Sequence, residues 1–196
     1  MALVLASTSA SRRAMLDAAG VGFTATASGV DEDAIKAAMP DAAARDLADR
    51  LAEMKALRVS ARVPGALVLG SDSVVELADG TLLDKPGSRE EAADHLQRMS
   101  GTVHSLWSAA VIAENGQPVW RFVDRARMHV RRLSTDFIHS YLDREWPEIS
   151  GCVGCYRIEG AGAQLFGRIE GSHFTVLGLP LLPVLDYLRV RGELAS

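Results

Sequence analysis

The run Ser7-Thr8-Ser9-Ala10-Ser11-Arg12-Arg13 puts hydroxyl groups and two arginines where an apolar segment gives way to what reads as a helix start. The free N–H groups and positive dipole end of a helix N-terminus suit phosphate. Arginine adds forked, permanently charged donors that match phosphate oxygens. The same pattern also fits a serine N-cap followed by two solvated arginines. No G-x-x-x-x-G-K-[ST] sequence occurs, which excludes a standard P-loop ATPase or kinase. Asp72 follows an apolar run and sits between Ser71 and Ser73, where a carboxylate is either a cleft group or a turn former. Glu32, flanked by Asp31 and Asp33, lies in an acidic stretch that alone reads as a solvated loop. Together Glu32 and Asp72 would offer oxygen ligands to Mg²⁺, which typically takes one or two carboxylates plus substrate phosphates. Lysine is scarce, and Lys55 and Lys85 are each either a surface charge or a phosphate partner. Two arginines, two lysines and a metal would balance the charge of a triphosphate.

These groups need a scaffold, and the apolar pattern supplies one. Leu3–Ala6 reads as a strand, Arg12–Ala19 as a helix stopped by Gly20, and Phe23–Ala27 as a second strand. Val30–Asp33 reads as an acidic loop. After Pro40-Asp41 a long helix is predicted, because Ala44, Leu47, Leu51, Met54 and Arg58 recur at three- and four-residue steps. Lys55 falls beside that stripe. Ala66–Gly70 reads as a strand ending in Ser71-Asp72-Ser73, and Val74–Leu77 resumes it before a turn at Ala78-Asp79-Gly80. Ser88 and Glu91 have capping-box spacing, so a helix should run from there to about Met99. Thr102–Ala113 and Val119–Val130 read as strands paired across Asn115-Gly116, a strong hairpin signal. Thr135–Trp146 and Pro180–Arg191 read as helices, with a glycine-rich stretch over 151–171 between them. Helices and strands that alternate early, with a later hairpin, predict an α/β or α+β fold around a mixed sheet.

Of the 196 residues, 48% are apolar and 23% charged, which fits a globular domain able to bury its own core. A net charge of -4 argues against a general nucleic-acid binder but leaves room for a local basic pocket. No apolar run reaches the roughly 18 residues of a membrane span. The apolar opening lacks a preceding basic segment, so it reads as a buried strand and the protein as cytoplasmic. Cys152 and Cys155 form a C-x-x-C pair, but there is no second pair and the histidines lack ligand spacing. Reduced thiols are expected.

Several segments in order resemble the motifs of the Maf family. They are Leu-Ala-Ser-Thr-Ser-x-x-Arg-Arg over residues 5–13, Val30-Asp31-Glu32, Leu51-Ala52-x-x-Lys55-Ala56, Gly70-Ser71-Asp72, and Lys85-Pro86 followed by Ser100-Gly101. Residues 154–160, Ile169-Glu170-Gly171 and Gly178-Leu179-Pro180-Leu181 resemble the closing motifs, so the likeness spans nearly the whole chain. The resemblance implies one domain over residues 1–196, in an elongated α/β (mixed α+β) fold like that of inosine triphosphate pyrophosphatases. A mixed central sheet flanked by helices, with a cleft between two lobes, is expected. The resemblance also implies hydrolysis of nucleoside triphosphates to the monophosphate and pyrophosphate, with a divalent metal, Mg²⁺ or Mn²⁺.

By position, the resemblance makes Asp72 the catalytic proton acceptor and Glu32 with Asp72 the metal ligands. Ser7, Arg12, Arg13, Lys55 and Lys85 would surround the phosphates. Glu159 stands where the branch acting on dTTP and UTP has Gln, and so resembles the branch that prefers 7-methyl-GTP. Ser11 and Ser73 depart from that branch, which often has an aromatic residue and Gln there; with Glu159 they are the expected specificity positions. A dTTP/UTP pyrophosphatase is the alternative. Family proteins are also described as inhibitors of septum formation, which makes a regulatory binding protein the reading from another class. Intact Glu32, Lys55, Asp72 and Lys85 argue against a role that is binding alone. The expected ligand is a nucleoside triphosphate, a homodimer is compatible with the sequence, and no nucleic-acid or membrane partner is expected.

Overall fold

The structure is a computed structural model that describes residues 3–195. Among the described residues the strands are β1 (Leu3–Leu5), β2 (Phe23–Ala25), β3 (Leu67–Glu76), β4 (Leu82–Leu83), β5 (Val103–Glu114), β6 (Gln117–Val130) and β7 (Phe166–Glu170). The α-helices are α1 (Ala10–Ala18), α2 (Glu32–Ala38), α3 (Ala44–Ser60), α4 (Arg89–Met99), α5 (Thr135–Glu145), α6 (His173–Val176) and α7 (Leu181–Val190). The strands form one mixed sheet in the order β2-β1-β3-β5-β6-β7, with β4 paired to β3. The fold is α/β, as expected, and its hairpin turns at Asn115-Gly116, both with positive φ. Among the described residues no helix is long and apolar enough to cross a membrane.

Two expectations need correction. The acidic stretch is not a loop: Asp31 caps α2 by accepting from the Ala34 amide at 3.0 Å, and Glu32 is its first residue. Acidic residues there complement the positive end of the helix. Nor does the third strand pause at Asp72. β3 is continuous from Leu67 to Glu76, and Ser71 and Asp72 are buried within it. The turn reading of Asp72 therefore falls.

The chain folds into two compact units. The first holds the described residues up to Ser73, then Ser108–Asp124, then those from His173 on. In it β1 pairs in parallel with β2 and β3, Leu3 lying beside Phe23 and Leu67. Side chains alternate along a strand, and both faces here are apolar. Leu3, Leu5, Leu67 and Leu69 pack with Met15 and Leu16 of α1 and Val184 and Leu188 of α7. Val4, Ala6 and Val68 pack on the other side with Val59 of α3. The second unit holds Val74–Trp107 and Arg125–Ser172. There α4 packs on α5, Ser88 caps α4 by accepting from the Glu91 amide, and β6 pairs antiparallel with β7.

Candidate active site

In the first unit, α3 carries Lys55 on its buried stripe, among Leu51, Ala52, Ala56 and Val59. A buried ammonium is costly unless it is paired and hydrogen-bonded. Lys55 Nζ lies 2.7 Å from Glu32 Oε1 and bonds Asp72 Oδ1. Lys55 and Asp72 are 7% and 8% exposed, so the pair is all but sealed. Gly70 permits the approach. A Cβ on Gly70 would lie 2.2 Å from the Ala52 carbonyl oxygen and 2.6 Å from the Ala56 amide nitrogen, so α3 crosses β3 on bare backbone. Lys55 and Asp72 then face each other from adjoining elements.

Arg12 forms a second cluster. Ser9 caps α1, accepting from the Arg12 amide at 3.5 Å, so Arg12 lies in the first turn of the helix. Its Nε donates to the Gly178 carbonyl at 2.8 Å, Nη2 to Ser73 Oγ at 3.2 Å and Nη1 to Ser7 Oγ at 3.4 Å. Loss of hydration lowers the Arg12 pKa, and the charges of Asp72 and then Glu32 oppose that shift. Arg12 is therefore electrostatically part of the carboxylate cluster. Ser7, Arg12, Glu32, Lys55, Asp72 and Ser73 come together as a set of hydroxyls, cations and carboxylates. Ser11 bonds the Leu177 carbonyl at 3.0 Å, a backbone tie and not an open surface. Arg13 is exposed on α1, and among the described residues its side chain makes no hydrogen bond or ion pair.

The second unit holds the two remaining sequence candidates. Lys85 and Glu159 both act on the half-buried Cys152 thiol, whose pKa is raised by burial first, then by Glu159, while Arg157 and Lys85 lower it. Glu159 is exposed. Its neighbouring arginines are engaged elsewhere: Arg157 Nη2 pairs with Glu145 at 2.9 Å, and Arg168 with Glu170 at 3.0 Å. Among the described residues Glu159 has no ion pair or hydrogen bond, so it is not a structural partner of either arginine. Cys155 is buried against His95, and burial pushes its thiol up to about 12. Both cysteines are free.

Glu32 and Asp72 direct carboxylate oxygens at one cationic nitrogen, so the donor set fits a hard divalent cation. Among the described residues no group of three or more His, Cys, Asp and Glu surrounds that point. Phosphate oxygens and water would have to complete such a shell. Sequence reasoning did not single out Ser108, Asp124 or Thr175, although all three join the Arg12 cluster. One signal was available, since Ser108 interrupts an apolar run between Leu106-Trp107 and Ala109-Ala110-Val111-Ile112-Ala113.

Known proteins resemble this chain along nearly its whole length. The family model described as Maf-like protein matches residues 2–191. The chain is similar to the nucleoside triphosphate pyrophosphatase of Sphingopyxis alaskensis, 50% identical over 194 residues and covering 98% of each chain. It is similar also to nucleoside triphosphate pyrophosphatase 1 of a Jannaschia species, 51% identical over 195 residues and 98% of each chain. The nucleoside triphosphate pyrophosphatase of Caulobacter vibrioides is 47% identical over 194 residues, covering 98% of this chain and 96% of that one.

Proposed function

This chain belongs to the family of Maf-like proteins, and from that premise we propose that it is a nucleoside triphosphate pyrophosphatase that prefers 7-methyl-GTP. The observation that carries the reading is the buried Lys55 ammonium held between Glu32 and Asp72, beside Arg12. A structural scaffold gains little from burying such a cluster, since an apolar replacement is often as stable. A phosphoanhydride hydrolase needs it.

Asp72 accepts a proton from water as the water oxygen attacks the α-phosphorus. The bond from the α-phosphorus to the bridging oxygen breaks, and pyrophosphate leaves with that electron pair. Arg12, Arg13, Lys55 and Lys85 bind the phosphates and offset charge that grows on the leaving group. When bound at Glu32 and Asp72, a divalent cation such as Mg²⁺ or Mn²⁺ supplies further charge neutralisation at the phosphates. Neither cysteine takes part, and two free thiols fit the reducing cytoplasm in which we place the protein.

Glu159 supports the finer assignment. Guanine presents N1–H and its 2-amino group side by side, and a carboxylate accepts from both. A 7-methylated guanine is also cationic. Uracil and thymine present acceptor, donor and acceptor, and their carbonyl oxygens repel a bare carboxylate. Glu159 is exposed and not committed to Arg157 or Arg168.

The test is release of pyrophosphate from 7-methyl-GTP, UTP, dTTP, CTP and GTP with Mg²⁺ or Mn²⁺. Pyrophosphate from 7-methyl-GTP at the highest kcat/KM is expected. Orthophosphate as the product, or no turnover, overturns the activity, and a preference for UTP or dTTP overturns only the base assignment. Glu159→Gln should move the 7-methyl-GTP to UTP ratio toward UTP by tenfold or more, since a hydrogen bond to a charged group is worth about 1.5–3 kcal/mol. Equal losses on both substrates would make Glu159 structural.

A further inference from the structure

Ser73 occupies a position where the base would be expected to be read, yet its hydroxyl faces Arg12. Arg12 Nη2 lies 3.2 Å from Ser73 Oγ, and Ser73 Oγ lies 2.9 Å from Ser108 Oγ. Ser108, fully buried, donates to the Thr175 carbonyl at 2.8 Å. Thr175 Oγ1 donates in turn to Asp124 Oδ2 at 2.5 Å, which ties α6 to β6.

The donor inventory gives this chain a direction. A serine hydroxyl has one proton. Ser108 spends its proton on the Thr175 carbonyl, so Ser73 must donate to Ser108. Ser73 then has only lone pairs left for Arg12, which can only donate. Every link runs one way, from the guanidinium to a backbone carbonyl.

Gly178 closes the other side. Its carbonyl accepts from Arg12 Nε at 2.8 Å and from Ser71 Oγ at 3.0 Å. It has φ +98, and a Cβ there would come 3.3 Å from Ser73 Oγ and 3.6 Å from Arg12 Nε. With the bond to Ser7, three of the five N–H donors of Arg12 are taken. Two remain, one on each terminal nitrogen.

We propose that Ser73, Ser108 and Thr175 form a one-way hydrogen-bond relay that fixes the Arg12 guanidinium, so that Ser73 acts on the phosphates through Arg12 and not on the base. Ser108 and Thr175 are positioning residues. The relay holds Arg12 in one orientation before substrate arrives, which removes an ordering cost from binding and alignment. The inference rests on the pyrophosphatase reading for its role in turnover, but the relay itself can be measured without turnover.

The experiment is calorimetric titration of inorganic pyrophosphate, with Mg²⁺ present, into the wild type and four variants: Ser108→Ala, Ser108→Thr, Arg12→Ala and the Arg12→Ala/Ser108→Ala double variant. Melting temperatures and kcat and KM on the nucleotide panel accompany it. Ser108→Ala should weaken pyrophosphate about tenfold, the scale of one hydrogen bond to a charged group. Ser108→Thr should restore binding, because it restores the hydroxyl. In the Arg12→Ala background Ser108→Ala should have no further effect, whereas in the wild-type background it should lower kcat/KM by one common factor on every nucleotide. If Ser108→Ala does not fold, Ser73→Ala takes its place. Equal losses with and without Arg12, a loss confined to one base, or a wild type that does not bind pyrophosphate overturns the relay. Coupled losses in pyrophosphate binding without nucleotide turnover uphold it and overturn the activity instead.

Discussion

At the scale of the residue, the proposed chemistry concentrates on Asp72. It is buried, bonded to Lys55, and within the electrostatic reach of Arg12. Asn in its place keeps the shape and can still accept from Lys55, but it cannot take a proton. Asp72→Asn should therefore fold with a near-normal melting temperature and lose turnover by at least the ~10²–10⁴-fold that general-base help supplies. Near-normal pyrophosphate release from the purified variant would remove Asp72 from its role. The C-x-x-C pair points the other way. Burial raises both thiols, so neither is a ready nucleophile. Cys152→Ser with Cys155→Ser should retain turnover under reducing conditions. Loss of bound zinc on substitution, measured by atomic absorption, would show that the loop is a metal site after all.

At the scale of the element, the site depends on two glycines. Gly70 lets the backbone of α3 lie on β3, and Gly178, at φ +98, turns its carbonyl to Arg12. Gly70→Ala has no room: its Cβ would meet helix backbone at 2.2 Å and 2.6 Å, and backbone cannot swing aside as a side chain can. Overpacking of a core typically costs about 1–3 kcal/mol. Gly70→Ala should lower the melting temperature by several degrees and reduce kcat more than it raises KM, because α3 moves Lys55 away from Asp72. An unchanged kcat in a destabilised variant would separate the crossing from the chemistry. The elements were legible where one periodic signal dominated. The helix α3, the Ser88 cap and the Asn115-Gly116 turn appear as their patterns predict, but the buried stripe of α3 runs through Lys55 and Val59, with Met54 half-buried and Arg58 exposed. The misread elements are those where a polar run was taken for a loop. Asp31-Glu32-Asp33 is a helix start because acidic residues suit that end, and Ser71-Asp72-Ser73 is strand because its hydroxyls find carbonyl and hydroxyl partners inside the fold.

At the scale of the whole molecule, composition told the class and the order of motifs told the family, but long-range pairing was not legible. The Arg12 relay joins residues far apart in the chain, Arg12 to Gly178 and Ser108 to Thr175, and no local pattern in one sequence carries such a link. The same holds in the second unit, where His104 of β5 meets Tyr156 from the glycine-rich stretch. His104 Nε2 is 3.0 Å from the Tyr156 hydroxyl, and its ring leans on Phe166. Burial lowers the His104 pKa to about 4. Between that value and about 6.5, the usual value for an unfolded histidine, the unfolded chain binds the proton and the folded chain does not. Protonation therefore favours unfolding in that window. Stability contributed by neutral His104 is present above about pH 6.5, is lost as pH falls toward about 4, and changes no further below. Each pH unit between the folded and unfolded values corresponds to about 1.4 kcal/mol, so the loss is on the order of 3 kcal/mol. His104→Phe keeps the ring packing on Tyr156 and Phe166 but orphans the Tyr156 hydroxyl, which should cost about 1–3 kcal/mol at every pH. The variant should thus be less stable than the wild type at about pH 7.5, and the gap should narrow or reverse by about pH 4.5. Urea melts of both proteins across that range measure it, and parallel stability curves would mean that His104 takes up its proton in the folded state.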